Sequence, residues 1–505
     1  MSRLLIGFAE ESLVPEGKRV RLAGQFYERI SEYVESEITA TAMAVDSGDE
    51  EMILVSADMT SIPGFLMELV REKFSALTDE ISPEKIIVAA THTHTSHTIA
   101  SPKASGDFSA TTKDILAEFM SSDKEYKALV TADDSVIDPA EACVFVSEKI
   151  ALAAYRAWKN RREAYIANDF GRAAVGMCRR ATYTDGSAEM WGDTNRADFV
   201  AMEGGNDSGI ELLYVFDKDK KLSGIVANIA CPSQILEHRS FISADYWGRA
   251  KANIRAKLGE HIFLVGLGGA GGDQCPRDLV RWVHPKTELN DPNISRPNLL
   301  KRRADPSMFD IEGCNRAGKR VSNEILSVYE ELDLDRLECD VPFTHIVKTL
   351  DLPLRKATRE EYEHAVREIE YYVQKNADKP TFDYSDNAKM YVNAGTIKRY
   401  REQQTEEIYP IEYHAVRLGN IAIVTNPFEL FLDFGNRIKA RSYAEQTFIV
   451  QLSCGRGGYL PTEKAERAGH YSAYITSGNV GHEGGDLLVR EQLKDIQEMF
   501  GEENE

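Results

Sequence analysis

Three of the chain's eleven histidines fall within six residues, in Thr91-His92-Thr93-His94-Thr95-Ser96-His97. A neutral imidazole is the commonest protein metal ligand, so the cluster points first to a metal site. It directly follows Lys85-Ile86-Ile87-Val88-Ala89-Ala90, which reads as a buried strand. Strand alternation would put His92 and His94 on one face and the odd-numbered threonines on the other. Two imidazoles could then share one ion, and His97 falls on the wrong alternation. Zn2+ is the first choice, although imidazole suits Fe, Ni and Cu as well. Histidines hydrogen-bonded in a loop without metal are the plain alternative.

Four further segments join a strand to a tight polar turn. Asn228-Ile229-Ala230-Cys231-Pro232-Ser233-Gln234-Ile235-Leu236-Glu237-His238 leads to Ile242-Ser243-Ala244-Asp245. Gly266 to Arg277 is rich in glycine, which exposes backbone N–H groups to a ligand. It lacks the Gly-Lys-Ser/Thr ending of a phosphate-binding loop. Asn426-Pro427-Phe428-Glu429-Leu430-Phe431 ends another strand, where Glu429 could also be an ordinary carboxylate at a helix start. Ser453-Cys454-Gly455-Arg456-Gly457-Gly458-Tyr459 places a tyrosine after a glycine turn; alone, Tyr459 reads as packing.

These segments need a scaffold. Apolar runs recur at 52–56, 85–90, 209–216, 224–230, 261–265, 420–425 and 447–452, with helix-like stretches at 64–76, 140–161, 311–331 and 359–376. Strands apolar throughout belong in a sheet covered on both faces. The expected fold is α/β: a layered mixed β-sheet core with helices on both faces. Residues 340–413 read as a helix-rich, charged insertion. Segment 100–140 reads as an excursion over the histidine loop that could serve as a lid, and 278–308 as a second long loop. Without a linker or repeat, residues 1–505 read as one catalytic domain.

Composition narrows the function. Hydrophobic residues make up 43% and charged residues 28%, as in ordinary globular proteins. A net charge of −21 and the lack of a Lys/Arg stripe argue against nucleic acid as partner, and against anionic membranes. No apolar run is long enough to span a bilayer, so integral membrane association is not expected. The acids near the N-terminus rule out a signal-peptide core. Seven widely spaced cysteines do not form a disulfide framework, so a cytoplasmic location and a small-molecule substrate are expected. Composition leaves the oligomeric state open.

Taken together, the segments resemble the neutral/alkaline ceramidase family, specifically its N-terminal zinc amidohydrolase domain. The resemblance runs from Leu4-Leu5-Ile6-Gly7 to about Leu493. Its most specific parts are Ala90-Thr91-His92-Thr93-His94 and Gly272-Asp273-Gln274-Cys275-Pro276. Ile242-Ser243-Ala244-Asp245, Glu429 and Tyr459-Leu460-Pro461-Thr462 support it. The resemblance implies one Zn2+ held by two histidines, a glutamate and a tyrosine, with His92, Glu429 and Tyr459 matching three of these. His94 matches a histidine that assists the reaction, and Arg179 a substrate-side arginine, with Arg180 as its charged neighbour. The second histidine ligand aligns with Pro232, which cannot coordinate. His238 is its candidate replacement, with Gln234 and Cys231 behind it. Cys275 stands where the family has a serine. No C-terminal sandwich domain is expected, which points away from ceramide.

The expected activity is therefore zinc-dependent hydrolysis of a C–N amide bond in a small polar substrate. Zn2+ would activate a water and polarise a carbonyl. His94 would move protons, Arg179 or the glycine-turn N–H groups would hold the oxyanion, and Asp245 and Asp273 would orient imidazoles. Two other readings stand: a metal-dependent hydrolase or lyase acting on a sugar derivative, and a non-catalytic, ligand-binding relative.

Overall fold

The computed structural model describes residues 4–25, 27–103, 110–120, 125–126, 133–283, 303–305 and 308–501. Its largest sheet contains β1 (Leu5–Ser12), β2 (Thr39–Asp46), β3 (Glu51–Ala57), β4 (Ile86–Ala90), β5 (Arg162–Arg172), β6 (Gly209–Asp217), β7 (Leu222–Ile229) and β8 (Phe263–Gly268). They run in the order β8-β7-β6-β5-β1-β2-β3-β4. The pairing is mixed: β3–β4 at one edge and β7–β8 at the other are parallel, while the strands between are antiparallel. Parallel pairs need crossovers. Here these include α1 (Gly64–Ser75) before β4 and α4 (Asp245–Leu258) before β8.

A second sheet is built from β9 (Phe343–Pro353), β10 (Ile408–Leu418), β11 (Ile421–Thr425) and β13 (Gln446–Val450), with β11–β13 parallel. Between the last two lies β12 (Phe428–Leu430), which pairs in parallel with β14 (Gly458–Leu460). Inner-face residues Ile421, Ile423, Phe448 and Val450 share one core with Met43, Val55, Val88 and Val265 of the large sheet. Full burial of each such side chain contributes ~1.5–3 kcal/mol. On the outer faces, α3 (Pro139–Lys159) packs against β1–β3. α4 and α5 (Asp310–Glu331) cover β6–β8, and α8 (Leu432–Lys439) and α10 (His482–Phe500) cover the second sheet. This is the layered α/β core, with helices on both faces, that the apolar strands imply.

Polar stitches fix how the sheets meet. The Gln451 carbonyl oxygen of the side chain accepts from Gly271 N and Leu430 N, both at 3.1 Å, and its backbone N–H donates to Gly268 O at 3.0 Å. Asn228 Nδ2 donates to Leu267 O on β8 and to Ile449 O on β13. Both side chains are buried, where an unpaired amide would be costly.

The helix-rich insertion has narrower limits than 340–413. Its flanks belong to the second sheet, since β9 pairs along its whole length with β10, from Phe343 opposite Leu418 to Pro353 opposite Ile408. α6 (Arg359–Lys375) and α7 (Tyr384–Glu402) project from that hairpin, with the short strand Thr381–Phe382 between them. They share a small core with α2 (Ala110–Phe119), through Leu116, Ile369 and Ala394. Part of the expected lid is thus a helix docked on the insertion; residues 104–109, 121–124 and 127–132 lie outside the described residues. In the second expected loop, Asp278–Val283 pairs with Arg303–Asp305 as strands, and 284–302 lies outside the described residues.

The segment behind β14 is close-packed: a Cβ at Gly478 would lie 1.9 Å from Tyr459 O. Gly478→Ala must displace β14 or its own strand-like neighbour, a strain of about 1–3 kcal/mol. Chemical denaturation should show that loss; unchanged stability would mean that the 477–479 backbone yields freely.

Candidate metal centre

His92 sits one residue past Thr91, whose backbone N–H donates to Ala57 O and whose hydroxyl donates to Asp58 Oδ1. Its backbone is left-handed, with φ +68°, which costs a non-glycine residue roughly 1–2 kcal/mol. Thr93 and Thr95 hydroxyls both donate to Ser243 O at 2.8 Å, and Arg29 donates to the His94 carbonyl at 2.7 Å. The histidine loop is therefore irregular but tightly held. His92 Nδ1 lies 2.7 Å from the Thr60 carbonyl, which can only accept. Nδ1 must carry the hydrogen, which leaves Nε2 with its lone pair. That nitrogen is 3.3 Å from His94 Nε2 and 3.4 Å from Glu429 Oε2. The expected pairing of His92 with His94 holds, with the rings 4.8 Å apart and edge-on. His97 is separate: its Nε2 donates to Leu13 O at 2.7 Å, and burial pushes its pKa down to about 4.

Glu429 and Tyr459 are register partners across the parallel β12–β14 pair, and their side chains hydrogen-bond. Glu429 is on a strand; α8 begins only at Leu432. Burial alone would raise the Glu429 carboxyl, but His92, Arg179 and the Tyr459 hydroxyl hold it at about 2. Burial, then the Glu429 carboxylate, push the Tyr459 phenol up, so without a cation the tyrosine stays protonated.

The two neighbouring arginines part company. Arg179 points into the site, with N–H groups 2.9 Å from Gly272 O, 3.4 Å from Gln234 Oε1 and 3.4 Å from the Tyr459 hydroxyl. Arg180 points away and forms a buried ion pair with Glu203 at 2.6 Å, with further bonds to Gly469 O and Tyr471 O. α9 (Glu463–Ala468) supplies another acceptor, Ala465 O.

Asp273 and Asp245 do different work from that expected. Asp273 accepts from Leu432 N at 2.9 Å and from Gln274 Nε2; Asp245 accepts from Leu236 N and Tyr246 N. Both brace backbone turns, and the group that orients His92 is the Thr60 carbonyl. Cys275 is buried with Sγ on the Arg277 carbonyl, and burial pushes its thiol to about 12, far from a reactive thiolate. Burial likewise raises the Cys231 thiol.

His238 is not brought to His92. Its ring stacks on Phe309 with centroids 4.9 Å apart, and Nε2 lies 3.7 Å from Asp310 Oδ1. The preceding residue takes the site-facing position: Glu237 Oε2 is 3.3 Å from His94 Nδ1. Burial works against this carboxylate, but His94, Arg179 and Arg277 keep its pKa below the ordinary value. Gly24 makes room for the His94 ring, since a Cβ there would meet Nδ1 at 2.3 Å. Within this turn it is Glu237, not His238, whose side chain lies beside His94.

The donors fit a metal ion. His92 Nε2 lies beside the Glu429 carboxylate, which pairs with Tyr459, and His94 and Glu237 stand next to them; imidazole, carboxylate and phenol oxygen are donors that could hold such an ion. Replacing Arg180 should act on the fold instead. Arg180→Ala leaves Glu203 buried and unpaired, so unfolding experiments should show a loss of about 3–5 kcal/mol. A loss within ±0.5 kcal/mol would contradict this division of roles.

No protein-family model matches the sequence, and no match to a curated protein was found. Two solved structures share the fold. Neutral ceramidase from Pseudomonas aeruginosa matches with a TM-score of 0.64 and 16% identity, over 98% of this chain and 74% of that one. A ceramidase complexed with C2 matches with a TM-score of 0.64 and 11% identity, over 100% of this chain and 76% of that one. The chain therefore has a ceramidase-like fold.

Proposed function

We propose that this protein is a metal-dependent hydrolase that cleaves a C–N amide bond in a small polar substrate, with a zinc-class ion held by His92, Glu429 and Tyr459. The observation that carries the reading is the placement of His92, whose Nδ1 is claimed by the Thr60 carbonyl and whose Nε2 lies 3.4 Å from the Glu429 carboxylate. The ceramidase-like fold supports it. When bound, the ion supplies Lewis acidity toward a carbonyl oxygen and toward water.

The chain's own groups supply the rest. Arg179, held by Gly272 O and Gln234, keeps a guanidinium beside the Tyr459 hydroxyl, where it can stabilise charge developing on the substrate carbonyl oxygen. Glu237 holds the His94 imidazole in place, and His94 accepts a proton from water and delivers it to the leaving nitrogen. The polar groups around the donors, Gln234, Glu237, Arg179 and Arg277, suit a polar substrate better than a long acyl chain. No described helix is long and apolar enough to cross a membrane. The whole chain works as one catalytic unit in this reading, since both sheets contribute donors.

Elemental analysis of the purified protein should find a divalent transition metal that is lost in His92→Ala and Glu429→Ala. Arg179→Ala should lower kcat on a cleaved amide by about 10²–10³-fold, and Glu237→Gln by about 10²-fold or more. In 18O-enriched water the acid product should carry the label. An unlabelled, unsaturated product would indicate elimination, and turnover unaffected by His92→Ala would overturn the reading.

A further inference from the structure

A second cluster of ligand-type side chains lies toward the start of β4, away from the His92 end. Glu412 and His414 are two residues apart on β10 and so share a face. Cys454, just past β13, is held by its backbone N–H on Val88 O, with Sγ near the Ile86 and Val88 carbonyls. One ligand atom each from Glu412, His414 and Cys454 lie within 4.8 Å of one another. His345 of β9 backs them, with Nε2 2.9 Å from His414 Nδ1.

Counting hydrogens exposes a deficit. The Glu51 carbonyl, 3.1 Å from His345 Nδ1, can only accept, so that nitrogen carries the hydrogen. His345 Nε2 then accepts from His414 Nδ1. That leaves the His414 Nε2 lone pair 2.9 Å from Glu412 Oε1, another acceptor. Three contacts between acceptor ends need three hydrogens, and two neutral imidazoles supply two. A cation must fill the gap, either a proton or a metal ion. His345 and His414 are 4% and 0% exposed, and an added proton would have for its counter-charge a Glu412 carboxylate that Arg71 already engages through both oxygens. A divalent ion adds the same net charge once Cys454 gives up its thiol proton, but only a metal draws in the sulfur that the fold holds within 4.8 Å of the other two ligand atoms.

The surroundings are compatible. Arg71 forks onto both Glu412 oxygens at 2.6 and 2.8 Å, but each carboxylate oxygen has two acceptor positions, so Oε1 retains one. Lys85 is engaged by Glu50 and the His345 carbonyl, and Glu50 also accepts from His345 N.

We propose that Glu412, His414 and Cys454 form a second metal site, selective for a thiophilic divalent ion of the zinc class, in which His345 fixes the His414 tautomer. Thiolate with imidazole is the donor set that favours such ions. On binding, the Cys454 S–H bond breaks, an Sγ–metal bond forms and the proton leaves to solvent; no redox change is involved. The inference does not rest on the proposed hydrolase centre, which contains no sulfur ligand.

Cobalt(II), added alone to chelator-stripped full-length protein, is the probe. A thiolate-to-cobalt charge-transfer band should appear in the near ultraviolet and persist in the His92→Ala/Glu429→Ala double variant. Cys454→Ser and His414→Gln should abolish it. His345→Ala, with folding checked by circular dichroism, should weaken cobalt binding about 10–100-fold. A wild-type protein without the band at saturating cobalt overturns the proposal, whatever the variants do. So does a band that survives Cys454→Ser, which would place the sulfur at Cys231 or Cys275, and so does unchanged affinity in His345→Ala.

Discussion

Everything at the candidate centre depends on how the two sheets are locked face to face. His92 comes from the end of β4 and Gly272 from the turn after β8, both on the large sheet. Glu429 and Tyr459 come from the short β12–β14 pair beside the second sheet. Neither sheet holds a sufficient donor set. Gln451 joins them by bonding the glycine turn, β12 and β8 at once, and Asn228 spans β8 and β13. Because buried amides must be paired, these contacts tolerate little sliding, and the spacing between His92 and Glu429 inherits that precision. The arrangement also follows the general tendency of parallel strands to present ligand sites beyond their carboxyl ends.

The same electrostatic logic appears at both histidine clusters. A backbone carbonyl claims one ring nitrogen, Thr60 for His92 and Glu51 for His345, and so determines which nitrogen keeps its lone pair. The remaining nitrogen of His92 faces the Glu429 carboxylate directly, whereas that of His345 accepts from His414, whose own Nε2 faces Glu412. Buried lone pairs opposed at about 3 Å repel in a low-dielectric interior, so each cluster is a place where the fold has built a demand for positive charge. At the first cluster Arg179 meets part of that demand at the Tyr459 side; at the second, Arg71 does so on Glu412. Neither guanidinium reaches between the opposed atoms.

Strands buried on both faces were legible because their composition is uniformly apolar, as in Ile86–Ala90 or Ile421–Thr425. β2 was missed because its Thr-Ala-Thr-Ala-Met pattern is buried with little hydrophobic contrast. β5, β9 and β10 were missed because charged residues interrupt their apolar runs, and the latter two were absorbed into a helical insertion that they merely frame. α4, with four basic residues and few large apolar ones, is not among the helix-like stretches of the sequence. Long-range pairing overrode weak local signals in each case.

The sequence by itself determined the α/β layering, because uniformly apolar strands are a local property, and it set His92 and His94 two residues apart after a strand; Glu429 and Tyr459 became candidates only through the resemblance to the ceramidase family. Tertiary structure alone decided between neighbours: Arg179 rather than Arg180 at the site, and Glu237 rather than His238. These residues lie in turns and short irregular strands, where side-chain direction follows no period and is set by what the backbone meets. Asp245 holding Leu236 N, and Phe309 and Asp310 receiving His238, come from segments distant in the chain. The choice of Glu237 over its neighbour as the residue beside His94 was therefore not legible in the sequence.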